Sequence, residues 1–312
     1  MGRVKALAQL TAAGLLLVSC AKSATGSCFW CWTTKPSMPT ARSGLGVAAI
    51  NGILYAVGGI NGDNALVTVE AYDPAANIWT TKPAMPTARR NLGVAAVNGI
   101  LYTFGGFDHG FLATVEAYDP AADTWNTEAS MPTARVDLGV AGINGIVYAI
   151  GGFNNRALAT VEAYDPATHI WTTKAPMPTA RSGLGVAAIN GILYVVGGDT
   201  GSGTRYAVAT VEAYDPATDT WATKAPMPTA RGYLGVAAMN GILHAVGGVD
   251  GNGNGILATV EAYDPATDTW TPKASMRTAR YGLGVAVTNG ILYTVGGINY
   301  TANLATVEAY QP

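Results

Sequence analysis

The residues of this 312-residue chain that could do chemistry fall into three groups. Six arginines (Arg42, Arg89, Arg135, Arg181, Arg231, Arg280) and six glutamates (Glu70, Glu116, Glu162, Glu212, Glu261, Glu308) recur in step. The arginines alone suggest an anion site, and the glutamates alone suggest acid–base work. Their equal number points to pairing instead, because a repeated charge in a packed interior needs a partner. The second group is irregular: Asp137, Asp63, Asp108, Asp199 and Asp250 are carboxylates at positions that change from one repeat to the next. Any of them could move a proton if held over a ligand. Asp and Asn are also ordinary turn residues, so Asp137 is only a weak catalytic candidate. The third group is three histidines and three cysteines. His109 falls in a variable loop, His169 in a turn and His244 in a strand, so they are not expected to converge. No Ser-His-Asp spacing, phosphate-cradling glycine loop or metal-ligand motif is present, and no metal or cofactor is expected.

The elements that must position these residues are set by repetition. Trp32, Trp79, Trp125, Trp171, Trp221 and Trp270 are 46–50 residues apart. Each is followed by a segment like TTKAPMPTAR, then LGVAAINGILYAVGG, a variable stretch and TVEAYDP. Each unit carries four strand signals. A small apolar strand (46–50 in the first unit) runs into Asn51-Gly52, and Asn-Gly between two apolar runs marks a tight hairpin. A second strand ends at Gly58-Gly59. A third covers Thr68 to Tyr72 and meets a turn at Asp73-Pro74. A fourth holds the Trp and ends near Met-Pro. Four antiparallel strands per unit, six times, form a β-propeller pattern.

A glycine doublet, a Tyr and a Trp at fixed spacing resemble the kelch repeat, whose period is about 50 residues. The resemblance covers residues 28–312, with repeats starting near 42, 89, 135, 181, 231 and 280. It implies an all-β, six-bladed kelch propeller. The chain opens on a fourth strand (Trp32 to Pro39) and ends on a third (307–312), so the N-terminal strand is expected to complete the last blade. The kelch family includes galactose oxidase, whose copper is held by Tyr and His beside a Cys–Tyr crosslink. With three scattered histidines and no Cys beyond residue 31, copper chemistry is not expected here. Kelch domains of eukaryotic adaptors bind peptides, but those chains carry an added oligomerisation domain. The chain also resembles bacterial periplasmic kelch proteins that epimerise sialic acid.

Loop lengths separate scaffold from site. Trp to the second Gly of the next doublet is 27 residues in every unit. The distance from that Gly to the Val of VEAY changes: 10, 9, 9, 13, 12 and 10. All length variation thus lies between the second and third strands. On the same face lie the pairs after each repeated Arg: Ser43-Gly44, Arg90-Asn91, Val136-Asp137, Ser182-Gly183, Gly232-Tyr233 and Tyr281-Gly282. Variable loops on a rigid frame are where binding concentrates. The expected ligand face therefore combines Arg90, Asn91, Asp137, Tyr233 and Tyr281 with the loop residues Phe107, Asp108, His109, Phe111, Phe153, Arg156, Asp199, Arg205, Tyr206, Asp250 and Tyr300. The longest loops put a raised wall on blades four and five, with Tyr206 and Tyr233 flanking a sugar ring or peptide side chain.

The N-terminus reads differently. Arg3 and Lys5 precede a mostly apolar run from Ala6 to Val18, too short to cross a bilayer as a helix and suited to a signal peptide over residues 1–19. Leu17-Val18-Ser19-Cys20 resembles the bacterial lipobox, which implies lipid attachment at Cys20 and a tether over 20–27. Cys28 and Cys31 could form a disulfide in an oxidising compartment or remain free thiols. Net charge is −2 and charged residues are 12%, so no basic field for nucleic acid exists. The expectation is an exported, membrane-anchored or secreted monomer that binds a glycan or protein ligand and touches the membrane through its lipid only. The alternative is a carbohydrate-active enzyme of the sialic-acid epimerase type.

Overall fold

Six four-stranded antiparallel sheets surround one axis. The computed structural model describes residues 21, 22, 28, 29, 31–201, 207–251 and 255–312. The expected signal peptide, Cys20, most of the tether, the Cys28 side chain, Arg205 and Tyr206 lie outside them, as does the Cys28–Cys31 pairing. At the start of the described chain, Ala21–Lys22 pairs with Cys28–Phe29.

Blade one contains Gly46–Ile50, Ile53–Val57, Val69–Asp73 and Ile78–Lys82 in that order. Blades two to five repeat it, with inner strands Gly93–Val97, Gly139–Ile143, Gly185–Ile189 and Gly235–Met239. The sixth blade has Gly284–Thr288, Ile291–Val295 and Val307–Gln311, and its outer strand is Cys31–Lys35. Trp32 lies opposite Tyr310 and Lys35 opposite Val307, so the chain's first propeller strand closes the ring as expected. Outer strands end at the Lys or Glu before the Met-Pro segment, three or four residues earlier than the sequence suggests. There the chain leaves its sheet to cross to the next blade.

The sequence of each strand matches its depth. Inner strands alternate buried and half-buried residues, and second strands are buried from their second residue on. Near the axis only small residues fit. A Cβ on Gly46 would fall 2.0 Å from Val94 Cγ2 of the next blade, and the same Gly–Val interlock runs round to Gly284 against Val47. The hairpins are primed turns: Asn51 has φ +50° and Gly52 φ +88°.

The repeated charges pair. All six arginines are fully buried, and each meets the glutamate of its own blade, as Arg42 and Glu70 do at 2.7 Å and Arg181 and Glu212 at 2.6 Å. Arg89 Nη1 also donates to the carbonyls of Gly105 and Thr114, and Thr87 donates to Glu116. Burial lowers the guanidinium pKa, to about 10 for Arg42, and Glu70 works against that shift. Together these contacts fasten each crossing segment to the sheet it enters. The Trp and Tyr ladders join blades: Trp79 Nε1 donates to Pro36 O at 3.0 Å, Trp221 to Ala175 O at 2.9 Å and Trp32 to Ala274 O at 2.7 Å. His244 takes the place of a second-strand Tyr. It is buried beside Tyr310, and burial lowers its pKa to about 4, so it is neutral there.

Candidate functional site

On the variable face the crossing segments converge on the axis in tiers. After each buried Arg, one residue bridges to the first residue beyond the next glycine doublet, in the same blade: Ser43 to Ile60, Arg90 to Phe107, Val136 to Phe153, Ser182 to Asp199, Gly232 to Val249 and Tyr281 to Ile298. This pairing ties the variable pairs to the variable loops.

The next residue inward forms a closed ring. Asn91 N–H donates to Gly44 O, Asp137 to Asn91, Gly183 to Asp137, Tyr233 to Gly183, Gly282 to Tyr233 and Gly44 to Gly282, all at 2.7–3.0 Å. All six adopt φ of +53° to +57°. Gly, Asn and Asp accept this conformation readily, whereas for a bulky residue it is an outlier. Tyr233 is that outlier. Beneath the ring six leucines, Leu45 to Leu283, narrow the axis.

Side chains above the ring are asymmetric because three of its members are glycines. Asn91 lies over Gly44: a Cβ there would fall 2.1 Å from its Oδ1. Asn91 Nδ2 donates to Asp137 Oδ1 at 2.7 Å. The Tyr233 ring lies over Gly183 and meets Tyr281 edge to face, with centroids 6.4 Å apart. Gly282 and Gly44 add nothing, so the space between Asp137 and Gly282 stays open. It forms a depression of about 220 Å³ lined by Ser43, Gly44, Asn91, Asp137, Tyr233, Tyr281, Gly282 and Ile298.

Asp137 is the carboxylate of this mouth. Burial raises its pKa to about 7, against the opposing effects of the Asn91 hydrogen bond and the Arg90 charge. The Tyr233 phenol is pushed above its ordinary range by burial and by Asp137, Asp199 and Tyr281, and remains a proton donor.

Of the residues expected on the ligand face, four line the mouth: Asn91, Asp137, Tyr233 and Tyr281. Others on that face lie apart. Arg90 stacks over Phe107 at 5.1 Å, and Phe107, Phe111 and Phe153 form an aromatic patch on blades two and three. Asp108 faces an exposed His109 at 3.5 Å. Arg156 lines a separate depression beside the outer part of blade three. Asp199 is buried and accepts the Gly201 N–H, and Asp250 shapes the turn at Gly255. Tyr300 is exposed on blade six. His169 lies on the opposite face against Glu128 at 2.7 Å. Ser43, noted only within one of the variable pairs, and Ile298, not noted at all, are mouth residues outside the expected ligand set. Their signal was positional: one follows the repeated Arg, the other the glycine doublet.

The KLHDC2/KLHL20/DRC7 Kelch-repeats domain matches residues 126–297, and the Kelch motif matches 41–86 and 88–132. The chain belongs to the kelch-repeat family. A search of curated protein sequences finds no match. Among solved structures, this kelch propeller is similar to one described as the structure of YjhT. The TM-score is 0.75 and the identity 18%, over 88% of this chain and 95% of that one. At that identity the likeness is one of fold.

Tyr233→Gly separates the roles of strain and contact in the kelch ring. Three of the six ring positions are already Gly, so the change is expected to relieve roughly 1 kcal/mol of backbone strain. Thermal melting should rise or hold, while any ligand seated in the mouth binds more weakly. A fall in melting temperature would mean the tyrosine is there for packing alone.

Proposed function

We propose that the mouth binds a cyclic sugar and that Asp137 catalyses proton transfer at its anomeric centre, interconverting the anomers. The observation that carries this reading is the Asp137 carboxyl, held at a pKa of about 7 over the open depression. A group that titrates near neutrality can both take and return a proton at the working pH. As a carboxylate it would accept the anomeric hydroxyl proton. A donor, Tyr233 or water, would protonate the ring oxygen as its bond to the anomeric carbon opens, and reversal on the other carbonyl face gives the second anomer. The Tyr233 and Tyr281 rings suit apolar sugar faces, and Asn91 and Ser43 suit hydroxyls. Glycoside hydrolysis uses two facing carboxyls. Among the described residues lining the depression, Asp137 is the one carboxyl. The sequence put simple binding first; the carboxyl's environment favours the epimerase-type alternative. The likeness in fold to YjhT is compatible with either.

The test is exchange between anomers, measured by saturation-transfer NMR on a panel of reducing sugars that includes sialic acid. Catalysed exchange supports the reading. Saturable binding with exchange at the buffer rate would reduce the protein to a binding module.

Export and anchoring form the second part of the proposal, resting on residues 1–20 of the sequence. Mass spectrometry of the mature N-terminus should find acylated Cys20, and Cys20→Ala should release a folded propeller from membranes. An unmodified N-terminus would end the anchoring reading and leave the mouth untouched.

A further inference from the structure

The mouth has a neighbouring depression on the same face. A second depression, about 390 Å³, is lined by Val249, Gly255, Ile256, Tyr281, Ile298, Asn299 and Tyr300. It shares Tyr281 and Ile298 with the mouth. The two are therefore neighbours that meet at Tyr281 and Ile298, placed in a line from the mouth outward between blades five and six. The mouth alone is smaller than the roughly 300–1,000 Å³ of ordinary small-ligand sites, and the neighbouring depression falls within that range.

The outer end is built around an aromatic ring. Tyr300 is 74% exposed, the most exposed of the large apolar or aromatic side chains among the described residues. It is nonetheless held in place. Ile256 N–H of the neighbouring blade donates to its hydroxyl at 3.0 Å. The preceding Asn299 is fixed too, its Oδ1 accepting the Thr301 and Ala302 N–H groups at 2.9 and 3.0 Å. An exposed ring tethered across two blades has lost rotamer freedom before any ligand arrives, which is what a stacking platform requires. No formal charge lies among the residues lining this outer part. That disfavours a charged occupant and suits the mixed apolar and hydroxyl surface of a pyranose.

We infer that the blade five–six depression is a second sugar subsite, so that the ligand class is a reducing disaccharide or longer oligosaccharide. Its reducing ring sits over Asp137, and the next ring lies against Tyr300. This rests on the sugar reading of the mouth.

The experiment compares matched probes by calorimetric titration: glucose with maltose, cellobiose and lactose; N-acetylglucosamine with chitobiose; sialic acid with its α2,8-linked dimer. The expected result is one pair in which the disaccharide binds about tenfold tighter or better. Tyr300→Ala should bring that ratio close to one, and Tyr300→Phe, which keeps the ring but loses the Ile256 tether, should lower it only in part. Because titration reads binding and not turnover, the same comparison runs on Asp137→Asn protein. If monosaccharides bind as well as their disaccharides, or if the gain survives Tyr300→Ala, the subsite is wrong and the mouth reading stands. If no sugar of either size binds, both fall. If the gain appears in a protein without anomer exchange, the subsite stands and the catalytic reading falls.

Discussion

Asp137→Asn is expected to lower catalysed anomer exchange by about 10²–10⁴-fold, the usual worth of a positioned general acid–base. The substitution keeps shape and can still accept the Asn91 Nδ2 hydrogen bond, so the ring of backbone hydrogen bonds should survive. The pH dependence gives an independent check. Asp137 acts as a base in its ionised form, so the wild-type rate should rise as pH climbs through about 7 and then level off. Stability should run the other way. A carboxyl whose pKa is higher folded than unfolded favours the folded state most below the unfolded value of about 3.9, and that benefit is lost as pH rises through about 7. Asp137→Asn should therefore melt higher than wild type at pH 8, the difference narrowing as pH falls below 7. An inactive variant that is also more stable at alkaline pH would mark a group placed for chemistry. If exchange persisted in the variant, the catalytic reading would be finished.

The architecture was legible in the sequence because every blade repeats the same solution. Asn51-Gly52, the glycine doublets and the Trp and Tyr positions each recur, and each has a purely local or nearest-neighbour cause. The pairing of Arg42 with Glu70 and its five counterparts followed from equal numbers alone. The site was legible only as a face. Which variable residues meet depends on the ring at Gly44 to Gly282, whose members are 46–50 residues apart and adjacent only once the propeller has closed. Asn91 and Tyr233 lean over glycines of the preceding blades, and this lean sets where the mouth is open. The Asp137 pKa belongs to the same class of property. Its cause is enclosure by all six blades, which no single repeat encodes. Arg156 and Asp250 varied as the mouth residues did, yet one faces a peripheral depression and the other shapes a loop turn.

The closing strand should carry more stability than the outer strand of any other blade, since it alone buries its Trp. Trp32→Ala is expected to cost about 3–5 kcal/mol, the range for truncating a buried large aromatic. Trp32 is 3% exposed, and its counterparts at Trp79, Trp125, Trp171, Trp221 and Trp270 are only half-buried, so the same change there should cost less. It stacks on Tyr310 at 5.4 Å and donates to Ala274 O, joining the two ends of the chain to blade five. Arg277 stands where the other repeats have Pro, and its Nε donates to the Trp32 carbonyl at 3.1 Å. That contact is found at no other seam, because the other repeats have no donor at this position. Removing Cys31–Lys35 altogether would expose the edge of Val307–Gln311, which the strand now pairs along its whole length. An unpaired edge invites strand addition from another molecule. The truncated protein should therefore melt well below Trp32→Ala and self-associate, as read by calorimetry and light scattering. Equal melting of truncated and intact protein would show that blade six holds with three strands and that ring closure adds nothing to stability.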